Sequence, residues 1–259
     1  MVTHLDTLAQ RRGPLEMRSL KSEVFSLLQG RIIAGEYPPG TWLRQSEIAE
    51  ELEVSPTPVR EALDQLVAEG LAQQIPYRGV RVPKLTDEEI ADAYVLRLLL
   101  EVTTARLAAH NISSKQAKAL RSLVEQTSDL LKPADIRRYR HLNWQIHRLI
   151  ASAGGNPLLA RVHGIALNRF PDWMLYENLL HKPDELRASL EGEYREHVAL
   201  VDAVVSRETE LAAEEARKHL VQNFAAAGYL IREGHSSVYR GYVEGVVSEQ
   251  IPDGLTTIG

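Results

Sequence analysis

The sequence of 259 residues contains no cysteine. This absence excludes disulfides, metal sites built from thiolates and cysteine nucleophiles. Long apolar runs are missing as well, because the richest one, Tyr94 to Val102, is interrupted by Arg97 and Glu101. The N-terminus also lacks the apolar core of a signal peptide. We therefore expect a cytoplasmic protein with no membrane-spanning segment.

Two further absences concern chemistry and charge. The chain has no HExxH, GxSxG, GxxxxGK or GxGxxG motif, so the sequence does not support the catalytic and nucleotide sites that these motifs mark. The net charge is -5, and cations do not outnumber acids in the first 84 residues. Any binding to nucleic acid must therefore depend on where the cations face and not on their total.

The most informative pattern lies between Thr41 and Val82. Apolar residues recur there at three- and four-residue steps and predict two short helices. They are Ile48, Ala49 and Leu52 in the first helix, and Val59, Leu63, Leu66 and Val67 in the second. We expect Thr57 to cap the second helix, with Pro58 at its first position and Gly70 after its end.

Two extended runs follow, Leu71 to Ile75 and Val80 to Pro83, and the turn Pro76 to Gly79 joins them. The order of two helices and a hairpin is typical of a winged helix-turn-helix, which binds DNA. The runner-up interpretation is an ordinary helical pair followed by a hairpin.

This segment resembles the GntR family of bacterial transcription regulators. The resemblance is carried by SEVFSLLQGRIIAGEYPPGTWL and by VSPTPVREAL. It implies that the start of the second helix enters the major groove while the hairpin tip approaches the minor groove. By position it assigns DNA contacts to Ser46, Ser55, Thr57, Arg60, Arg78 and Gly79, and Arg44 is expected to extend the same cationic stripe.

Two of these positions differ from the family pattern. Pro56 stands where the family usually has an arginine, and Ser46 stands where relatives often carry a DNA-contacting arginine. Since arginine paired with guanine is the commonest specific base contact, the operator sequence stays open. One such module binds modestly, so we expect a homodimer that reads two half-sites.

From Leu85 onward the pattern is helical, and the fold class is mainly α with a small hairpin. Thr86 with Glu89 and Ser113 with Gln116 form predicted capping boxes, and further helices are expected after Pro133 and after Asn156-Pro157. We assign residues 1–84 to the winged helix with its N-terminal arm, 85–234 to an all-helical domain and 235–259 to a C-terminal extension.

Histidines lie on three of these helices in a suggestive pattern. Asn143 and His147 are four residues apart and share a helix face, and His197 and His219 lie on two later helices. Three imidazoles and one amide oxygen suit zinc, nickel or a similar divalent ion. The alternative for each histidine is a hydrogen-bonded core residue, and spacing alone does not distinguish the two.

The segment from Leu85 to Glu233 resembles the FCD effector-binding domain of the FadR-type branch of GntR regulators. The resemblance is carried by YVLRLLLEVTTARLAAHN, LNWQIHRLIASAGGNPLLARV and YREHVALVDAVVSRETELAAEEARKHL. It implies metal ligands at Asn143, His147, His197 and His219, with asparagine replacing the usual aspartate. It also implies a small carboxylate effector, for which Arg97 is the candidate partner. Arg97 could instead be a surface residue paired with Glu101.

We therefore expect a homodimeric, cytoplasmic repressor that binds operator DNA and a small organic acid. Three alternatives remain at this point: a direct metal sensor, an FCD domain that binds a larger acyl ligand without metal, and a metal-dependent hydrolase fused to a winged helix. The hydrolase has the least support, because no acid lies beside the histidines at a spacing that marks a general base.

Overall fold

The computed structural model describes residues 20–169 and 179–226. The predicted N-terminal arm up to residue 19, residues 170–178 and 227–234 of the predicted helical domain and the C-terminal extension lie outside these ranges. Within them the protein is mostly helical with one small sheet, which confirms the predicted fold class.

From residue 20 onward, where the description begins, the N-terminal part combines three helices with a three-stranded antiparallel sheet. Its elements are α1 (Leu20–Ile33), β1 (Trp42–Leu43), α2 (Gln45–Glu51), α3 (Pro56–Ala68), β2 (Gln73–Ile75) and β3 (Gly79–Arg81). The hairpin β2–β3 was predicted, with longer strands. Strand β1 was not, because its two residues give no periodic signal; it pairs with β3 through Trp42 and Arg81.

The predicted start of α3 was wrong by two residues. Ser55 is the N-cap, with extended backbone angles, and Pro56 occupies the first turn, so Thr57 lies inside the helix. A proline with fixed φ suits the first helical position, and the chain offers one at Pro56 as well as Pro58. The predicted end is confirmed, since the helix stops at Ala68 and Gly70 follows with a φ of 78°.

Among the residues that the structure describes, the second part contains a bundle of six α-helices. They are α4 (Asp87–Asn111), α5 (Ser114–Thr127), α6 (Ile136–Ala153), α7 (Pro157–Arg169), α8 (Pro183–Val205) and α9 (Thr209–Ala226). Both predicted capping boxes are present at α4 and α5. Small buried residues such as Ala105, Ala108 and Ala212 allow helices to approach closely around the core.

The helical bundle contacts the N-terminal part mainly through α6 and α7. Trp144 of α6 packs against the N-terminal core, and Arg140 reaches the backbone carbonyl of Ala34 at 3.4 Å. Gly70 approaches α7 so closely that a Cβ there would lie 3.2 Å from the carbonyl oxygen of Ile165. In the described ranges, no helix combines the length and the apolar character that crossing a membrane requires.

Candidate functional site

Most of the predicted DNA contacts surround one open cleft of about 580 Å³ at the start of α3. Its lining includes Arg44, Ser46, Arg60, Arg78 and Gly79 together with Trp42 and Pro56. Ser55 and Thr57 are exposed on either side of Pro56 and are not part of the lining. The structure thus gathers residues from α2, α3 and the hairpin on one face.

Trp42 lies within cation–π distance of three arginines on this face. The guanidinium carbons of Arg44 and Arg78 both lie 5.2 Å from the centre of the indole ring, and that of Arg81 lies 5.9 Å away. Guanidinium groups at such distances from an aromatic face are attracted to it. Although cations and acids are nearly balanced in the first 84 residues, three guanidinium groups lie close together around this ring and make the face locally positive.

The hairpin tip projects from this face. Tyr77 at the tip is fully exposed and has a φ of 61°, and Gly79 has a φ of 110°. Only glycine adopts the second angle without steric cost, which explains the residue at that position. The backbone angles of Tyr77 and Gly79, on either side of Arg78, therefore set the shape of the turn from which Arg78 extends.

The three predicted histidines converge in the interior of the helical bundle. His147 of α6, His197 of α8 and His219 of α9 are all buried, and their ligand atoms lie within 4.8 Å of one another. The Nε2 atom of His147 lies 3.2 Å from that of His197 and 3.3 Å from that of His219. The expectation that these side chains meet is correct.

Two carboxylates hold the outer nitrogens of this group. Glu101 lies 2.7 Å from Nδ1 of His147, and Glu196 lies 2.9 Å from Nδ1 of His219. An imidazole that donates its Nδ1 proton to a carboxylate presents the Nε2 lone pair on its other side, and the Nε2 atoms of His147 and His219 face each other inside the group. A carboxylate behind a histidine is the usual support of a metal-binding imidazole. Sequence spacing missed both acids, because each contacts a histidine on a different helix.

Glu101 is also paired with Arg97, one helical turn away, at 2.7 Å, and both are buried. Burial alone would raise the pKa of Glu101, but Arg97 and then His147 outweigh it and hold that pKa well below its usual range. Nε2 of His163 lies 3.7 Å from the same carboxylate. Arg97 is therefore not a surface residue, although it does pair with Glu101.

His197 differs from the other two histidines. Its Nδ1 atom has no hydrogen-bond partner in the described part of the chain. Burial, followed by the neighbouring His219 and His147, lowers the pKa of His197 well below its usual value. His197 is consequently neutral near pH 7, which is the form of imidazole that coordinates metals.

Asn143 lies one turn before His147 on α6 and is buried. Its Nδ2 atom donates a hydrogen bond to Oε1 of Glu193 at 3.0 Å. His141, on the same helix, stays outside the group and contacts Gln145 at 2.9 Å. Three imidazoles, two of them with a carboxylate behind the ring, form a donor set that fits a divalent ion such as zinc.

Comparison with known families gives a match to each of two separate parts of the chain. Residues 20–82 match the description "Bacterial regulatory proteins, gntR family", and residues 92–222 match "FCD domain". The chain is 30% identical over 223 residues to the "Probable D-xylose utilization operon transcriptional repressor" of Paenarthrobacter nicotinovorans. This alignment covers 86% of this chain and 92% of the relative. It is 27% identical over 229 residues to the "HTH-type transcriptional repressor NanR" of Enterobacter sp. (strain 638), spanning 81% and 86% of the two chains.

Solved structures share the fold. The structure titled "E. coli McbR/YncC" matches with a TM-score of 0.70 at 23% identity, over 82% of this chain and 98% of that one. A putative GntR regulator from Rhodococcus sp. RHA1 matches with a TM-score of 0.62 at 20% identity, over 82% and 99% of the two chains. These similarities extend over both the winged helix and the helical bundle.

Proposed function

Because the chain belongs to the GntR family of bacterial regulatory proteins and carries an FCD domain, it is a DNA-binding transcription regulator and not an enzyme, and we propose that it is a cytoplasmic, homodimeric repressor controlled by a metal-bound organic acid. Its relatives named as repressors support the sign of regulation. The remaining steps concern which residues meet DNA and which hold the effector.

The start of α3 is proposed to enter the major groove of the operator. Ser55, Thr57 and Arg60 are exposed there, and Arg60 lines the cleft. Arg78 and Gly79 at the hairpin tip are proposed to approach the adjacent minor groove, while Arg44 and Ser46 contact the backbone between them. Arginine in such a cleft can contact a base edge or a phosphate.

The small number of cations on this face supports a dimer. A few phosphate contacts give modest affinity that falls with rising salt, and two linked modules multiply the affinity of each. A homodimer would place one cleft on each half-site of a palindromic operator.

The close approach of His147, His197 and His219, with carboxylates behind two of them, is the observation that carries the effector proposal. A bound divalent ion, zinc or nickel, would supply positive charge and open coordination positions for the oxygens of a small carboxylate. The three imidazoles would bind that ion through nitrogen, and Asn143 would contribute its amide oxygen.

Arg97 is proposed to neutralise part of the charge of the acid. Its Nε atom contacts Glu101, and a guanidinium group carries five N–H donors, so an acid that reaches Arg97 would share it with Glu101. Glu101 also contacts Nδ1 of His147. Binding of the organic acid to Arg97 is therefore linked to the orientation of the His147 ring through the carboxylate of Glu101.

Direct metal sensing is the second candidate, and the burial of all three histidines favours it, because a bare ion needs less room in the interior than an ion that carries an organic acid. In both cases the bound metal or metal-bound acid changes operator affinity only if it binds one arrangement of the domains more tightly than the other.

Operator binding by the metal-loaded and metal-stripped protein separates these functions. An operator fragment is first selected from the DNA upstream of the gene, and its affinity is measured with zinc and with a series of small organic acids. Release by an acid only in the metal-loaded protein supports the proposal, and release by zinc alone identifies a metal sensor. Equal release by an acid in a His147→Ala/His219→Ala protein without metal excludes the metal-centred mechanism.

A further inference from the structure

An open cavity lies where the winged helix meets the helical bundle, and none of the three clustered histidines lines it. Its volume is about 760 Å³, which is within the range of cavities that bind small organic molecules. The end of α3 forms one wall, and α5, α6 and α7 form the others. We call this space the interdomain cavity.

Much of the wall of the interdomain cavity is apolar. Leu123 of α5, Leu149 of α6 and Ile165 of α7 contribute aliphatic surface, and Trp144 of α6 contributes an indole ring. Trp144 is partly buried and also packs against the N-terminal core. A ligand that covers such surfaces is stabilised in proportion to the apolar area that it removes from water. The wall therefore favours a compound with an apolar body.

Helix α6 separates the interdomain cavity from the histidine group. Trp144 and Arg148 are one turn apart, and both line the cavity from one face of this helix. His147 lies on the opposite face, where it contacts His197 and His219. The two sites therefore lie on different sides of α6 and use different residues.

Arg148 brings a positive charge to the interdomain cavity. Its guanidinium carbon lies 5.0 Å from the centre of the Trp144 ring, close enough for attraction to the ring face. A guanidinium group carries five N–H donors, but Arg148 forms no hydrogen bond or ion pair with the residues of the described ranges. Its donors are therefore available to an anion, and such charge-assisted hydrogen bonds are strong.

Gly164 of α7 leaves room for this guanidinium group. A Cβ atom at Gly164 would lie 2.7 Å from Nη1 of Arg148, which is closer than van der Waals contact. Any larger residue at this position would displace the guanidinium group. The ring of Trp144 on one side and the bare backbone of Gly164 on another thus set the position of Arg148.

The remaining charges of the lining limit the kind of anion that fits. Arg161 is exposed and adds a second cation, and Glu69 adds one acid, whose Oε1 atom accepts a hydrogen bond from Nε2 of Gln65 at 3.0 Å. Two cations and one acid leave the lining with one excess positive charge. This balance suits a ligand with a single anionic group better than a polyphosphate.

We propose that the interdomain cavity binds a small organic anion whose apolar ring body packs against Trp144 and whose carboxylate or sulfonate group pairs with Arg148. The site is distinct from the proposed metal centre and does not depend on it. Glu69 directly follows α3, so a ligand in this cavity adjoins the end of the proposed recognition helix as well as the bundle.

The test uses two fluorescent probes with the same ring system. Anilinonaphthalene sulfonate carries one anionic group, and phenylnaphthylamine lacks it. Both are titrated into the full chain and into Arg148→Gln and Gly164→Ala. Arg121→Gln removes an exposed arginine of α5 as a control for charge. Gly192→Ala controls for the added methyl group, because its Cβ would lie 4.0 Å from the nearest atom, Nη2 of Arg195.

We expect the unchanged protein to bind one sulfonate probe per chain. Arg148→Gln should weaken this binding by about 10- to 100-fold, because it removes the charged hydrogen-bond donor. Gly164→Ala keeps the charge but displaces it, and should weaken binding by at least about threefold. Affinity for the neutral probe should change by less than about twofold in Arg148→Gln, since the apolar wall remains. Both controls should bind like the unchanged protein.

Sulfonate affinities of Arg148→Gln and Gly164→Ala equal to those of their controls would overturn the inference. Equal losses of both probes in Arg148→Gln would also overturn it, because Arg148 would then support the shape of the cavity and not bind the anion. Release of the sulfonate probe as the chain self-associates at higher protein concentration would show that a second copy covers the cavity. That result, or absence of sulfonate binding in the unchanged protein, would likewise refute the proposed site.

Discussion

Asn168 of α7 donates a hydrogen bond from Nδ2 to the backbone carbonyl of Glu69, the residue that follows α3, at 2.9 Å. The carbonyls of the last helical turn have no partner within their own helix, and Asn168 supplies one from the other domain. Its Oδ1 atom accepts a hydrogen bond from Nε1 of Trp144 at 2.9 Å. Trp144 lies three residues before His147 on α6, so the end of the proposed recognition helix is connected to the histidine group within one helical turn.

Replacing Asn168 by alanine should destabilise the protein by about 1–3 kcal/mol, because the change removes both hydrogen bonds and leaves two partly buried groups without this partner. The free energy of unfolding in urea measures the effect. Gln222→Ala, at an exposed position of α9, is the control and should change it by less than about 0.5 kcal/mol. Equal stability of the two variants would show that the interdomain bond contributes nothing.

Replacing Arg60 by alanine should weaken operator binding by about 1–3 kcal/mol, since the side chain lines the cleft at the start of α3. Binding is measured at fixed salt, because phosphate contacts depend on ionic strength. Arg121→Ala removes an exposed arginine from the helical domain and should leave operator affinity unchanged. If both variants bind equally well, Arg60 is not a DNA contact.

Pro56→Arg restores the arginine that the family usually has at this position. Pro56 is exposed in the first turn of α3 and lines the cleft, so a longer cationic side chain there has access to DNA. We expect tighter binding to the operator of a relative that carries the arginine, measured by gel shift against that operator and a scrambled one. No gain over the scrambled DNA would indicate that the hairpin has taken over the contact.

Removing the metal should lower the thermal stability of the protein. A ligand that binds only the folded state adds about 2.7 kcal/mol when its concentration is 100 times its dissociation constant. Metal analysis should find about one divalent ion per chain, and His197→Ala should abolish the thermal increment. The control variant His141→Ala alters a histidine outside the group and should retain the metal-dependent increase in thermal stability. A zinc-dependent increment of unchanged size in His197→Ala would contradict the proposed ligand set.

Arg97→Ala should cost about 3–5 kcal/mol of unfolding free energy, because it leaves Glu101 buried without its guanidinium partner. The control on the same helix is Arg106→Ala, which breaks the exposed pair with Glu210 and should cost less than about 1 kcal/mol. Urea unfolding of the metal-free proteins gives both values. Similar losses in the two variants would show that burial does not increase the importance of the Arg97–Glu101 pair.

The features that the sequence predicts well are those that depend on neighbouring residues. The capping boxes of Thr86 with Glu89 and of Ser113 with Gln116 need only a spacing of three, and both are present. The start of α3 shows the limit of local patterns, since Ser55-Pro56 and Thr57-Pro58 offer equivalent signals two residues apart. Contacts outside this turn determine that the helix begins at Ser55-Pro56.

Other contacts required the folded chain. Glu101 and His147 lie on different helices, and Asn168 lies on α7 whereas Glu69 follows α3. No periodicity relates the members of such pairs. The histidines were found because they are few and occupy helix faces, whereas glutamates are common and most are solvated. Burial distinguishes Glu101 from those residues, and burial emerges only from packing.

The stacking of Arg44, Arg78 and Arg81 around Trp42 has a consequence for the entropy of DNA recognition. A free arginine side chain carries on the order of 2 kcal/mol of rotamer freedom, part of which is lost when the side chain is fixed on a partner. Contact with a shared ring restricts these side chains before DNA arrives, so less freedom remains to be lost on binding. A single tryptophan thus reduces the side-chain entropy that three arginines would lose on binding DNA.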